Sequence, residues 1–118
     1  LLIRYDDLQA EPSERGVQFS YKTRRGRTKI YGGKVTENIC QALARCIIGE
    51  QMLEVAKRYK VVLTVHDSIV CCVPEDEIDV ATSYIETAMN RSPAWALGLP
   101  ITCESGIGKS YGEAADNA

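Results

Sequence analysis

The sequence predicts an α+β domain: a mostly antiparallel sheet with a long helix and a second helix packed on one face. Three observations predict it. The elements follow one another as strand, strand, long helix, hairpin, helix and strand. Apolar residues recur with a helical period over residues 36–58 and again over 75–91. Between those stretches two apolar strands meet at a tight His66-Asp67 turn, Val61-Val62-Leu63-Thr64-Val65 before it and Ser68-Ile69-Val70-Cys71-Cys72-Val73 after it. At 118 residues, with 45% apolar and 25% charged residues, the chain has the size and composition of one globular domain.

Leu1 to Tyr5 reads as a first strand, and Glu11-Pro12-Ser13-Glu14-Arg15-Gly16 as a loop. Val17-Gln18-Phe19-Ser20-Tyr21 alternates apolar with polar, the pattern of a half-buried strand. Five cations then crowd into the eight residues from Lys22 to Lys29. Gly26 marks a hairpin turn among them, and Lys29-Ile30-Tyr31 is the returning strand. A solvated, mobile tip and a phosphate-contacting tip both fit this run, with Arg25 and Arg27 as its candidate contacts. Residues 1–31 thus form an N-terminal part of strands and basic hairpin.

Tyr31-Gly32-Gly33 breaks the strand, and Thr36 is placed to cap the long helix with Glu37 near its positive end. Ile39, Leu43 and Ile47 share one face of that helix, and Cys40, Ala44, Ile48, Met52, Val55 and Tyr59 continue the stripe. Asn38, Gln41, Arg45 and Glu50 lie off or beside this stripe. After the His66-Asp67 hairpin, Pro74 ends the strand and Glu75-Asp76-Glu77 load the start of the second helix with negative charge. Ile78, Ala81, Ile85, Ala88 and Met89 give that helix its buried face. Residues 92–100 form a turn-rich connection, Ile101 to Glu104 a last short strand, and residues 106–118 a loose tail.

A net charge of −2 does not announce a nucleic-acid partner, although local patches matter more than totals. The five cysteines sit in apolar contexts without a C-x-x-C pair, the pattern of reduced core thiols rather than of a zinc or redox site. Nothing resembles a signal peptide, and no apolar run is long enough to cross a membrane. The chain opens on Leu1-Leu2-Ile3 without an initiator Met, as a piece of a longer protein would.

Three groups of residues invite a chemical reading. Gly106-Ile107-Gly108-Lys109-Ser110 looks like the end of a phosphate-binding loop, but Cys103 stands where the leading Gly belongs and Tyr111-Gly112 is a poor start for the helix that must follow. His66, Asp67 and Ser68 are the residue types of a hydrolase triad, yet consecutive residues point away from one another and the chain has no other His. Asp67 alone is a candidate metal ligand, since Mg²⁺ takes carboxylate oxygens. One Asp is not a metal site, and local chemistry leaves a structural and a functional Asp67 equally open.

Longer segments carry a resemblance. Tyr31-Gly32-Gly33-Lys34-Val35-Thr36-Glu37-Asn38-Ile39-Cys40-Gln41-Ala42-Leu43-Ala44-Arg45, followed by Val65-His66-Asp67-Ser68-Ile69-Val70, resembles the C-terminal palm region of family A DNA polymerases, and in particular their phage-encoded branch. Residues 92–100 and Glu104 to Tyr111 also resemble that branch's C-terminus, so four short motifs occur in the right order between Tyr31 and Tyr111.

That resemblance implies roles. Asp67 matches a carboxylate ligand of the catalytic Mg²⁺ pair, and His66 a residue that contacts the primer 3′ end. Gln41 matches a glutamine near the minor groove at the primer–template terminus, and Asn38 and Arg45 on neighbouring turns extend a polar edge towards DNA. Ser68 stands where the family has Glu, a change expected to tune the site. The family's second metal-binding Asp and its nucleotide-gripping helix would lie before Leu1. The implied partners are primer–template DNA and dNTP, the implied place the host cytoplasm. The chain alone is expected to be inactive and, with apolar surface uncovered, to self-associate. A non-enzymatic α+β module that binds nucleic acid or protein through residues 22–29 is the rival reading.

Overall fold

The computed structural model describes residues 1–118, which form two compact units, Leu1–Ala44 and Arg45–Ala118. The fold is α+β, as the sequence predicts, but the strands divide between two small antiparallel sheets. A helix of 25 residues, α1 (Gly32–Ala56), starts in the first unit and ends in the second.

In the first unit β1 (Gln9–Ser13), β2 (Gly16–Thr23) and β3 (Gly26–Ile30) form an antiparallel meander in that order. The first strand therefore falls on the segment expected to be a loop, while Leu1 to Tyr5 is not a strand. Only Glu14 and Arg15 are needed for the reversal. Ser13 Oγ donates to the Gly16 carbonyl at 2.7 Å, and Gly16 takes a φ of 109° that a side chain would resist. Thr23, Arg24, Arg25 and Gly26 repeat the device: Thr23 Oγ1 donates to the Gly26 carbonyl at 2.8 Å, and Gly26 has a φ of 116°. Pro12 is tolerated because β1 is an edge strand.

The N-terminal segment is held by side chains and one backbone bond instead. The Tyr5 ring meets the Tyr21 ring edge-on at 5.1 Å, and the Lys22 N–H donates to the Asp6 carbonyl at 2.8 Å. On the sheet, Ile30 is buried beside Phe19 in register, but Phe19 and Val17 remain exposed. Alternation foretold the strand and not the burial of these two residues.

Helix α1 begins four residues before the expected cap. The Tyr31 carbonyl accepts from the Val35 N–H at 3.0 Å, and the Thr36 hydroxyl donates back to the Gly32 carbonyl at 3.1 Å from inside the helix. Thr36 is thus a helix-interior residue bonding one turn back, not the cap.

The second unit contains the last turns of α1, the hairpin β4 (Lys60–Val65) and β5 (Ser68–Cys72), and α2 (Ile78–Met89). Val55 and Tyr59 pack with Ala81 and Ala88, and Ile69, Cys71 and Val73 lie against this cluster from one face of β5 and its continuation. A register shift between Val61 and Leu63 disturbs the alternation of β4, and Val62 and Leu63 are both exposed. Gln51 is the one buried polar side chain, and its Nε2 donates to the Met89 carbonyl at 2.6 Å at the end of α2. Tyr84 Oη donates to the Glu54 carbonyl at 2.8 Å, and the Arg58 guanidinium lies 4.7 Å from the Tyr84 ring centre.

Two C-terminal expectations are corrected. Residues 101–104 form no strand, because the Cys103 N–H is taken by the Asn90 side chain at 2.8 Å. Residues 106–118 are not a loose tail: α3 (Tyr111–Asp116) forms within them. Ser110 caps it by accepting from the Glu113 N–H at 3.3 Å, and the Glu113 carboxylate accepts from the Lys109 N–H at 2.9 Å. Ser110-Tyr111-Gly112-Glu113 is a capping-box spacing that outweighs the poor helix propensity of Gly112. Gly106 packs so closely on α3 that a Cβ there would lie 1.8 Å from the Ala114 carbonyl oxygen.

All five cysteines are free. Cys40 and Cys72 are exposed rather than in the core, whereas burial pushes the thiols of Cys71 and Cys103 up.

Candidate functional site

The β4–β5 hairpin closes through His66 and Asp67 alone, since Val65 pairs directly with Ser68. His66 has a φ of 53°, and Asp67 does not share the positive sign. His is among the few non-glycine residues that occupy this region with any frequency, at a cost of roughly 1–2 kcal/mol. Both side chains are exposed at the tip, and Asp67 enters none of the four ion pairs of the chain. An unpaired carboxylate on a tight, register-fixed turn is positioned by the strands and left open to a ligand.

A metal needs more than this. No group of three or more His, Cys, Asp or Glu side chains in the chain could hold an ion. Asp67 supplies one ligand, which does not make a Mg²⁺ site by itself.

The polar residues of α1 fall on successive turns, with Gln41 and Arg45 four apart and Asn38 one turn earlier. Gln41 is exposed, and its Nε2 donates to Glu37 Oε1 at 3.3 Å. Asn38 is half-buried and donates from Nδ2 to Tyr5 Oη at 3.0 Å, so it ties the helix to the N-terminal segment within the first unit. Arg45 is exposed.

The basic hairpin is well formed. Arg24 and Arg25 occupy the turn between β2 and β3 and are exposed. Arg27 is engaged: its guanidinium donates to the Asp7 carboxylate at 2.8 Å, to the Asp7 carbonyl at 2.8 Å and to the Ser20 carbonyl at 3.0 Å. The hydrogen bond from Arg27, then that from Gln9, holds the Asp7 carboxyl below the usual carboxylate range. No motif reading foretold this clasp, because Asp7 and Arg27 are 20 residues apart.

The glycine-rich segment 106–110 leads into α3, against the sequence expectation, but Glu113 already occupies the Lys109 N–H that an anion would need. No helix of the chain is long and apolar enough to cross a membrane.

The proteins to which the chain is similar are named as DNA polymerases, and both are phage proteins. One is from Bacillus phage SP02, 37% identical over 89 residues, covering 73% of this chain and 13% of that protein. The other is from Bacillus phage SP01, 29% identical over 85 residues, covering 67% of this chain and 9% of that protein. The chain therefore corresponds to a short stretch of these relatives. No family model matches the chain, and no solved structure matches it.

Proposed function

We propose that this chain is part of a phage-type family A DNA polymerase, from the C-terminal part of its palm. The observation that supports this most is the similarity to two phage DNA polymerases, over 73% and 67% of the chain. The exposed His66-Asp67 turn supports it as well, since it offers an unpaired carboxylate and an imidazole on a rigid base.

In this reading the parent enzyme adds dNTPs to a primer 3′ end on a DNA template, in the host cytoplasm. Asp67 contributes one carboxylate to a Mg²⁺ pair whose remaining ligands come from outside these residues, and His66 lies against the primer terminus. Gln41 and Arg45 face the duplex from α1, while Asn38 fixes the helix by its bond to Tyr5.

Primer extension tests the reading. The 118-residue chain alone should extend no primer in Mg²⁺ buffer. In a longer polymerase that contains it, Asp67→Ala should lower the rate by on the order of a thousandfold, the loss of several kcal/mol of electrostatic stabilisation. Full activity of that variant would remove Asp67 from the metal site.

A further inference from the structure

The β2–β3 hairpin carries more cations than its own fold employs. Lys22, Arg27 and Lys29 project from one face, because Lys22 pairs with Arg27 in register and Lys29 lies two residues further along β3. Arg24 and Arg25 extend the same charge around the turn. Of these five, Arg27 alone is in an ion pair, with Asp7. The neighbouring Asp6 is held by Arg4, so no carboxylate pairs with the other four cations. Four hydrogen bonds from the Arg27 guanidinium and the Thr23–Gly26 bond fix the hairpin that carries them.

We infer that this hairpin is a sequence-independent contact for the nucleic-acid phosphate backbone, in which Lys22, Arg24, Arg25 and Lys29 bind phosphates and Arg27 is a positioning residue. Four unpaired cations on a fixed hairpin, whose one carboxylate neighbour, Asp7, is taken up by Arg27, fit a regular polyanion and read no bases. Nucleic acid, rather than an acidic protein, is chosen because of the polymerase reading above. The hairpin lies outside the residues on which that reading places the chemistry, and the two stand or fall in separate measurements.

The test is fluorescence anisotropy of a labelled B-form duplex with the 118-residue chain, titrated at salt concentrations between about 50 and 200 mM. Joint replacement of Arg24→Gln and Arg25→Gln should lower the slope of log K against log salt by about 1.8, about 0.9 for each lost phosphate contact. Its thermal midpoint should stay unchanged, since both side chains are in solvent. Arg27→Gln should instead lower the midpoint by freeing Asp7 and Ser20, and Arg27→Lys should restore it in part by keeping one donor to Asp7. An unchanged slope in the double variant, or tighter binding of polyglutamate than of duplex at equal salt, would overturn the inference. Equal effects of Arg27→Gln and Arg25→Gln on slope and midpoint would overturn the role given to Arg27. Duplex binding is read in EDTA with the 118-residue chain and primer extension in Mg²⁺ with a longer polymerase, so a failed polymerase assay and a failed hairpin remain distinguishable.

Discussion

At position 66 the backbone holds a histidine at positive φ where glycine would rest without strain. Replacing His66 with Gly should therefore stabilise the chain by up to about 1 kcal/mol, seen as a higher urea midpoint. The same variant would lose the imidazole from the tip. Gln51 behaves oppositely. Its amide satisfies the Met89 carbonyl in a buried setting, so Gln51→Leu should cost about 1–3 kcal/mol although it makes the core more apolar. The Asp7–Arg27 pair has a pH signature. Because the folded carboxyl is held below its ordinary value by Arg27, its contribution is fully present above the unfolded value, about 3.9, and is lost as pH falls through the lowered folded one. Asp7→Asn should remove that part of the acid limb of the stability profile, measured by urea unfolding at successive pH values. None of these three features was legible in the sequence. The sequence displays the chemistry of His66 and not its torsion, and Gln51 and Asp7 act through partners 38 and 20 residues away.

Among the elements, those with long, consistent periodicity were the readable ones. Helix α1, the β4–β5 hairpin and α2 fall close to where their apolar patterns put them. Within α1 the expected stripe is nevertheless buried only at Val55, with Ile39 exposed and Tyr59 beyond the helix end. The errors lie in short elements that side-chain hydrogen bonds decide. Two turns of the form hydroxyl residue, two polar residues, glycine set the β1–β2–β3 meander, at Ser13–Gly16 and ten residues later at Thr23–Gly26. Their likeness was visible in the sequence, and it would have moved the first strand to Gln9–Ser13. The Ser110–Glu113 capping box was visible too, and α3 follows from it. Gly106→Ala should detach α3, because the added methyl would overlap the Ala114 carbonyl. Rapid amide exchange and early proteolysis confined to residues 106–118 are the expected result, with the β4–β5 hairpin still protected.

For the molecule as a whole, the buried apolar set is small. Val55 is the only large side chain removed completely from solvent. Truncation of Val55 to Ala should cost on the order of 2 kcal/mol, a large share of the stability of a domain this size, and calorimetry would show it as a lowered melting temperature. Many large apolar residues stay exposed, among them Leu53, Val62 and Leu63 close together in sequence around the α1–β4 junction, and Leu1, Leu2 and Leu97 elsewhere. Sedimentation of the 118-residue chain should accordingly show association that rises with concentration and with sulfate, which strengthens apolar burial. The fold class was legible because it depends on the order of periodic segments. The candidate site was legible as the two residues His66 and Asp67, because apolar strands frame them so tightly. The hairpin clasp and the buried amide were not, since long-range pairing leaves no local pattern.

The torsion at His66 also changes how variation in this turn should be read. A backbone at positive φ admits only a short alphabet, mainly Gly, Asn, Asp and His, whatever the neighbouring chemistry demands. Persistence of His at this place in a set of relatives would therefore measure two pressures at once, steric and catalytic. Asp67 is free of the first, since its φ is not positive. Invariance there would owe nothing to a positive φ, which makes position 67, and not 66, the more telling letter of the pair.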